Sequence, residues 1–176
     1  LWREGIERSR HVHVSIMNWA RYALRDAVAA GRSTSTDLHD WDGVADYHKD
    51  FAYGADYVFV SAAALRDESG VVADVFARGR AQFVVVMAGS EGARVWQRSD
   101  ELPLRISPIS IPGRPVVDSN GAGDSFVAAF LCHYLDHGDI FGAARAGAVG
   151  GAWACGTLGT HTSFVDAETL ERLLAR

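Results

Sequence analysis

The chain has 176 residues, of which 48% are hydrophobic and 22% are charged, and its formal net charge is −5. These values are typical of a globular domain with a substantial core, and they argue against a disordered or fibrous chain. No basic stripe is present and no apolar run reaches the roughly 20 residues of a membrane span, so we expect no nucleic-acid or membrane partner.

The chain contains two cysteines, Cys132 and Cys155, and both lie within apolar helical patterns. This placement predicts small core side chains in a reducing compartment rather than a disulfide framework, so we expect a cytoplasmic protein. No cluster of Cys and His residues has the spacing that is typical of a zinc site.

Apolar periodicity predicts alternating strands and helices along the chain. In chain order we expect a strand over 11–15, a helix over 19–30, a strand over 32–36, a helix over 41–52, a strand over 55–60 and a helix over 65–78. There follow a strand over 82–87, a turn into a strand over 93–97, an edge strand over 104–111, and helices over 123–137, 140–155 and from 167 onward. This alternation predicts βαβ units with a mostly parallel sheet in a three-layer α/β/α sandwich.

The predicted strand over 32–36 is polar and leads into Asp37, His39 and Asp40. Open α/β sheets bind ligands at the carboxyl ends of their strands. These side chains could therefore face a phosphate or sugar pocket, while the alternative is a capped surface turn, in which Asp and His are frequent.

The strongest chemical signal is the segment 118–126, which reads Asp-Ser-Asn-Gly-Ala-Gly-Asp-Ser-Phe. Asp118, Ser119 and Asn120 are good helix-cap residues, and the small residues after them leave backbone amides uncovered at a helix N-terminus, which suits an anion. Asp124 would repel a stored phosphate. It suits a site where it takes a proton from a hydroxyl that attacks a phosphoryl group held by those amides. The alternative is a capped helix with a glycine-rich entry.

This string, followed by a helix of small and apolar residues, resembles the C-terminal signature of the ribokinase-like (PfkB-type) carbohydrate kinases. The resemblance extends roughly from residue 10 to the end of the chain, and it is specific only around the motif over 118–126. It implies transfer of the γ-phosphoryl group of ATP to a hydroxyl of a sugar or related small alcohol. Asp124 would be the catalytic base, and the anion hole would be formed by the amides of Gly121, Ala122 and Gly123.

The resemblance also implies residues that border the nucleotide. Gly89 and Gly92 lie in the turn between two predicted strands, which is either an ordinary hairpin or a wall of the ATP site. The loop after residue 155 would border the adenine. The implied cofactor-binding residues are Gly89, Gly92, Asn120, Gly121, Gly123 and Gly156.

The loop over 155–163 is polar and rich in glycine, and by itself it would be a connector. In ribokinase-like proteins the matching loop wraps a monovalent cation such as K⁺, using carbonyl oxygens, a hydroxyl and the first Asp of the signature. The implied ligands are Asp118, Ala154, Thr157, Gly159 and Ser163. The resemblance further implies Mg²⁺. Ser61 and Ala64 occupy the positions where many family members have Asn and Glu. Mg²⁺ would then be held by the nucleotide phosphates and water.

We interpret residues 1–176 as a single, incomplete ribokinase-like nucleotide-binding and catalytic domain, because the family members are expected to be about twice as long. The N-terminal part and its lid would supply most sugar contacts, so the isolated chain is expected to be inactive. A sheet edge left open would favour a homodimer. The rival hypothesis is a non-catalytic nucleotide-binding or scaffold fragment, which the departures at Met87, Ser61 and Ala64 favour.

Overall fold

A computed structural model describes residues 2–160 and 163–175. Its strands are β1 (His11–Ser15), β2 (Ser33–Asp37), β3 (Tyr57–Ser61), β4 (Phe83–Met87), β5 (Ala93–Gln97) and β6 (Leu104–Ile106). Its α-helices are α1 (Trp2–Arg8), α2 (Ala20–Ala29), α3 (Asp46–Gly54), α4 (Glu68–Arg78), α5 (Ala122–His137), α6 (Ile140–Ala154) and α7 (Ala167–Leu174). Helix α1 was not among the predicted elements.

The six strands form one sheet in which their order follows the chain, β1-β2-β3-β4-β5-β6. Strands β1 to β4 are parallel, with Ser35 opposite both His13 and Tyr57, and Phe59 opposite Val85. The predicted α/β class with a mostly parallel sheet is therefore confirmed. No helix in the described part of the chain is long and apolar enough to cross a membrane.

The chain folds into two compact units, one of Leu1–Met87 with Val95–Pro103 and one of Ala88–Arg94 with Leu104–Arg176. The core of the first unit is built from the near-continuous apolar runs of β3 and β4, as expected for parallel strands covered on both faces. Leu24 of α2, Phe51 of α3 and Val75 of α4 pack into this core, together with Trp41 from the loop before α3.

Strand β2 is polar yet mostly buried, and neighbouring groups satisfy several of its polar side chains. The backbone amide and hydroxyl of Thr34 both donate to Asp56 Oδ2, at 2.8 and 2.9 Å, while Arg80 Nε donates to Asp56 Oδ1 at 2.8 Å. The ring of His11 lies 2.7 Å from the hydroxyl oxygen of Ser35, and burial lowers the pKa of His11 to about 4. These hydrogen bonds allow a largely polar strand to be buried in the sheet, although the buried hydroxyl of Thr36 has no hydrogen-bond partner among the described residues.

Most predicted elements differ from the structure by one to three residues at an end, and two differ by more. The helix expected over 41–52 begins only at Asp46, because Asp42 Oδ1 accepts hydrogen bonds from the amides of Val44 and Ala45 and holds a turn there. The strand expected over 104–111 ends at Ile106, just before the break at Pro108, which has no amide to donate.

The core positions predicted for the two cysteines are also wrong. Cys132 is exposed on α5, although it lies in an apolar helical pattern. Cys155 is half-buried immediately after α6, and its carbonyl group is used in the site described below. Both thiols are free, as expected.

In the second unit, α5 and α6 approach closely because α6 presents glycines to α5. A Cβ on Gly147 would lie 2.8 Å from the ring of Phe126, and one on Gly150 would lie 2.7 Å from both the Ser125 carbonyl oxygen and the Ala129 Cβ. These distances leave no room for a methyl group. The glycines therefore fix the position of α5, whose first turn carries the candidate catalytic residues.

Candidate active site

The motif over 118–126 forms a tight turn that leads into the 16-residue helix α5. Gly121 is the N-cap residue and has φ of +74°, a conformation that suits glycine. Among the described residues no side chain caps this helix, so the caps expected from Asp118, Ser119 and Asn120 are not made there. Instead Asp118 Oδ1 accepts the Asn120 amide at 3.0 Å within the turn.

The first turn of α5 presents backbone donors. The Ala122 amide donates to the Ser119 carbonyl oxygen at 3.2 Å, so this member of the predicted anion hole is engaged within the turn. Among the described residues, the amides of Gly121 and Gly123 have no acceptor. Orphan amides at the positive end of a helix are suited to an anion.

Asp124 is the third residue of α5 and its side chain is exposed. Within the described part of the chain its carboxylate accepts no hydrogen bond and forms no ion pair. A carboxylate that is free of protein partners and adjacent to orphan amides can accept a proton from a bound hydroxyl. The structure thus places Asp124 beside the amides with which it was predicted to act.

Asp118 joins the motif to the loop after α6. Its Oδ2 accepts the Gly159 amide at 3.0 Å, and its own amide donates to the Cys155 carbonyl oxygen at 3.2 Å. The Asn120 and Gly159 amides lower the pKa of Asp118, because each hydrogen bond favours the ionised carboxylate. The motif and the loop are therefore held together by backbone groups and one charge.

The other residues predicted to bind a cation lie at the end of α6 and in the loop after it. The Thr157 amide donates to the Ala154 carbonyl oxygen at 3.4 Å, and Ser163 Oγ accepts Trp153 Nε1 at 3.1 Å. Their carbonyl and hydroxyl oxygens, with the carboxylate of Asp118, are the types of donor that hard cations prefer. The residues present thus fit a monovalent cation, and its binding stays a prediction.

Arg114 is a member of this region that the sequence analysis missed. Its Cζ lies 4.0 Å from the centre of the Trp153 ring, and its Nη2 donates to the Trp153 carbonyl oxygen at 2.9 Å. A Cβ on Gly156 would lie 2.7 Å from Arg114 Nε, so Gly156 makes room for the guanidinium group. A single arginine in the irregular segment Pro-Gly-Arg-Pro carries no periodic signal that could have revealed this role.

The predicted hairpin is present between β4 and β5, with the Ala88 amide donating to the Gly92 carbonyl oxygen at 2.8 Å. Gly89 and Gly92 have φ of +55° and +84°. Gly92 also lies against the backbone of Ile106, where a Cβ would collide, whereas Gly89 has open space around it. Gly92 thus has a packing role, and the nucleotide contact predicted for both glycines stays a prediction.

Asp37, the last residue of β2, forms a local turn with His39 in the first unit. Asp37 is buried and its Oδ1 accepts the His39 amide at 2.9 Å, while His39 has a positive φ of 51°. In the same unit, Ser61 Oγ accepts the Ala63 amide at 3.2 Å and caps the short 3₁₀ helix Ala62–Ala64. Asp37 thus makes the hydrogen bond of a capped turn, and the alternative, that these side chains face a phosphate or sugar pocket, stays a prediction. Ser61 therefore has a local structural role.

Comparison with known proteins agrees with this arrangement. The family profile described as pfkB family carbohydrate kinase matches residues 13–167. The chain therefore belongs to the pfkB family of carbohydrate kinases, as the motif indicated.

Curated relatives in this family include sugar kinases of different specificity. The acarbose 7(IV)-phosphotransferase of Actinoplanes sp. is 38% identical over 164 residues, which cover 93% of this chain and 54% of the relative. The fructoselysine 6-kinase of Escherichia coli is 33% identical over 128 residues, which cover 69% of this chain and 44% of the relative. The chain thus spans about half the length of the curated relatives it matches.

Solved structures give the same result. A microbiome-derived acarbose kinase is 99% identical, with a TM-score of 0.98, over 100% of this chain and 59% of that protein. The ribokinase of Arabidopsis thaliana, solved with ribose and ATP, has 20% identity and a TM-score of 0.83 over 98% of this chain and 58% of its own. At 20% identity, the similarity to this ribokinase is evidence for the fold alone, and it confirms the expected ribokinase-like fold.

Proposed function

We propose that this chain carries the phosphoryl-transfer machinery of an ATP-dependent carbohydrate kinase. The observation that supports the proposal is the exposed carboxylate of Asp124 on the first turn of α5, beside the amides of Gly121 and Gly123. None of these three groups has a partner among the described residues. The family membership and the resemblance to acarbose kinases supply the class of acceptor. The proposed substrate is a carbohydrate-like alcohol, with acarbose as the first candidate.

In the proposed reaction, the acceptor hydroxyl oxygen forms a bond to the γ-phosphorus of ATP while the bond from that phosphorus to the bridging β,γ-oxygen breaks. Asp124 takes the proton of the hydroxyl, and ADP leaves with the electron pair of the broken bond. The amides of Gly121 and Gly123, at the positive end of α5, stabilise charge on the transferring group. Positioning and electrostatics supply most of the catalysis in phosphoryl transfer.

Metal ions have a supporting role in this proposal. Mg²⁺ would neutralise phosphate charge, held mainly by the nucleotide and water because Ser61 and Ala64 supply no amide or carboxylate there. A monovalent cation would be held by the oxygen donors of Asp118 and the loop after α6. Asp118 accepts hydrogen bonds both from that loop and from the turn before α5. A cation bound to Asp118 would therefore help to hold the amides of Gly121 and Gly123 in place.

The test of the proposed function uses a chain with the full length of the relatives that contains these 176 residues, here called the full-length chain. ADP release is measured with acarbose, pentoses, hexoses and nucleosides as acceptors. We expect turnover that depends on a carbohydrate acceptor. ATP binding without turnover on any acceptor would instead support the rival hypothesis of a non-catalytic nucleotide-binding module.

The cation site has its own test. Replacing K⁺ by a bulky organic cation should lower the turnover of the full-length chain several-fold, because such a cation cannot be wrapped by carbonyl oxygens. Asp118→Asn removes the only charged ligand of the proposed set and should abolish this difference between the two buffers. Equal turnover of the unmodified chain in both buffers would contradict the proposed site.

A further inference from the structure

A second cluster of chemically active side chains lies at the opposite end of α5. His133 and His137 are four residues apart and therefore lie on one face of the helix. Their ring centroids are 4.5 Å apart. Glu171 of α7 completes the cluster, in which one ligand atom from each residue lies within 4.8 Å of those of the other two.

No other interaction in the described residues accounts for this cluster. The side chains of His133, His137 and Glu171 form neither hydrogen bonds nor ion pairs there. His133 is half-buried, and a Cβ on Gly142 would lie 2.5 Å from its Nε2, so this imidazole sits against a glycine of α6. Confinement of one ring reduces the entropy that is lost when a ligand orders it.

The donor set points to a divalent transition metal. Two imidazole nitrogens and one carboxylate oxygen are the ligand types that Zn²⁺ accepts, whereas Ca²⁺ and Mg²⁺ prefer oxygen alone. Bonds of about 2.0–2.1 Å to a tetrahedral ion place the ligand atoms about 3.3 Å apart, which small side-chain rotations can reach from the observed spacing. The negative end of the helix dipole at the last turn of α5 further favours a cation.

We propose that His133, His137 and Glu171 form a Zn²⁺ site that clamps α7 to the C-terminal end of α5, with water as the fourth ligand. Asp124 and His133 are nine residues apart on α5, which is about 14 Å along a helix axis, so the ion is separate from the phosphoryl-transfer site. Its expected effect is on stability, since an ion that binds only the folded state stabilises that state. Sequence spacing alone did not reveal this site, because Glu171 lies on another helix.

Isothermal titration with ZnCl₂ tests the proposal, using the full-length chain without an affinity tag after removal of metals by EDTA. We expect one site, and its affinity for Zn²⁺ should fall by at least about 10–100-fold in both His137→Gln and Glu171→Gln. Loss of a residue that only hydrogen-bonds to a metal ligand already lowers metal affinity by that factor. Glu168→Gln is the matched control, since it removes another exposed carboxylate of α7 from outside the cluster. This variant should bind Zn²⁺ like the unmodified chain.

A second measurement separates loss of a ligand from loss of folding. The melting temperature of the unmodified chain should rise with Zn²⁺ concentration, whereas that of His137→Gln and Glu171→Gln should not respond. All three proteins should melt alike in EDTA, because both substituted residues are exposed. The proposal is overturned if the unmodified chain takes up no Zn²⁺, or if the ligand variants bind it as tightly as the unmodified chain.

Discussion

Asp124→Asn in the full-length chain is expected to lower acceptor-dependent turnover by about 10²–10⁴-fold, the usual range for loss of a general base. Asparagine has nearly the same shape, but its amide cannot take up the proton of the acceptor hydroxyl. The orphan amides of Gly121 and Gly123 remain, so ATP affinity should change little. Stability should fall by no more than about 0.3–1 kcal/mol, the value of one exposed charge at a helix N-terminus.

Steady-state kinetics and nucleotide titration of the same protein samples measure these two effects separately. Asp136→Asn is the matched control, since Asp136 is an exposed acid on the same helix and lies far from its N-terminus. Its turnover should equal that of the unmodified chain. If Asp124→Asn also keeps near-normal turnover, Asp124 is not the base, and the proposed reaction loses its proton acceptor.

The sequence predicted those parts of the fold that depend on local pattern. The strand His11–Ser15 has the predicted bounds, and β3 and β4 follow the apolar runs that were expected to be buried. The motif could likewise be recognised locally, because Gly121 and Asp124 are close in the chain and share one helix turn. Local spacing is sufficient wherever the interacting groups are near neighbours in sequence.

The remaining features depend on partners that are distant in sequence. The hydrogen bond from Gly159 to Asp118 spans 41 residues, and Arg114 reaches the Trp153 carbonyl group across 39 residues. The burial of Thr34 depends on Asp56 in the same way. Sequence pattern identifies such residues as polar, but only the packed structure shows which partner satisfies each of them.

The glycines of α6 give the largest expected effect on stability. Gly150→Ala adds a methyl group at 2.7 Å from both the Ser125 carbonyl oxygen and the Ala129 Cβ of α5, well inside normal contact distance. Overpacking of this kind costs about 1–3 kcal/mol, against which alanine gains about 0.8–1 kcal/mol of helix propensity over glycine. We expect a net loss of up to about 2 kcal/mol in the free energy of unfolding.

Urea denaturation of the full-length chain measures this loss, and Gly5→Ala is the matched control. Gly5 lies within α1 and has no atom within 4 Å of an added Cβ, so the same substitution should stabilise the protein by about 0.5–1 kcal/mol through helix propensity alone. The Gly150 variant should also lose turnover, because displacement of the Ser125 carbonyl group moves the backbone next to Asp124. If both variants are equally stabilised, α5 and α6 can separate without cost, and the packing at Gly150 does not hold Asp124 in position.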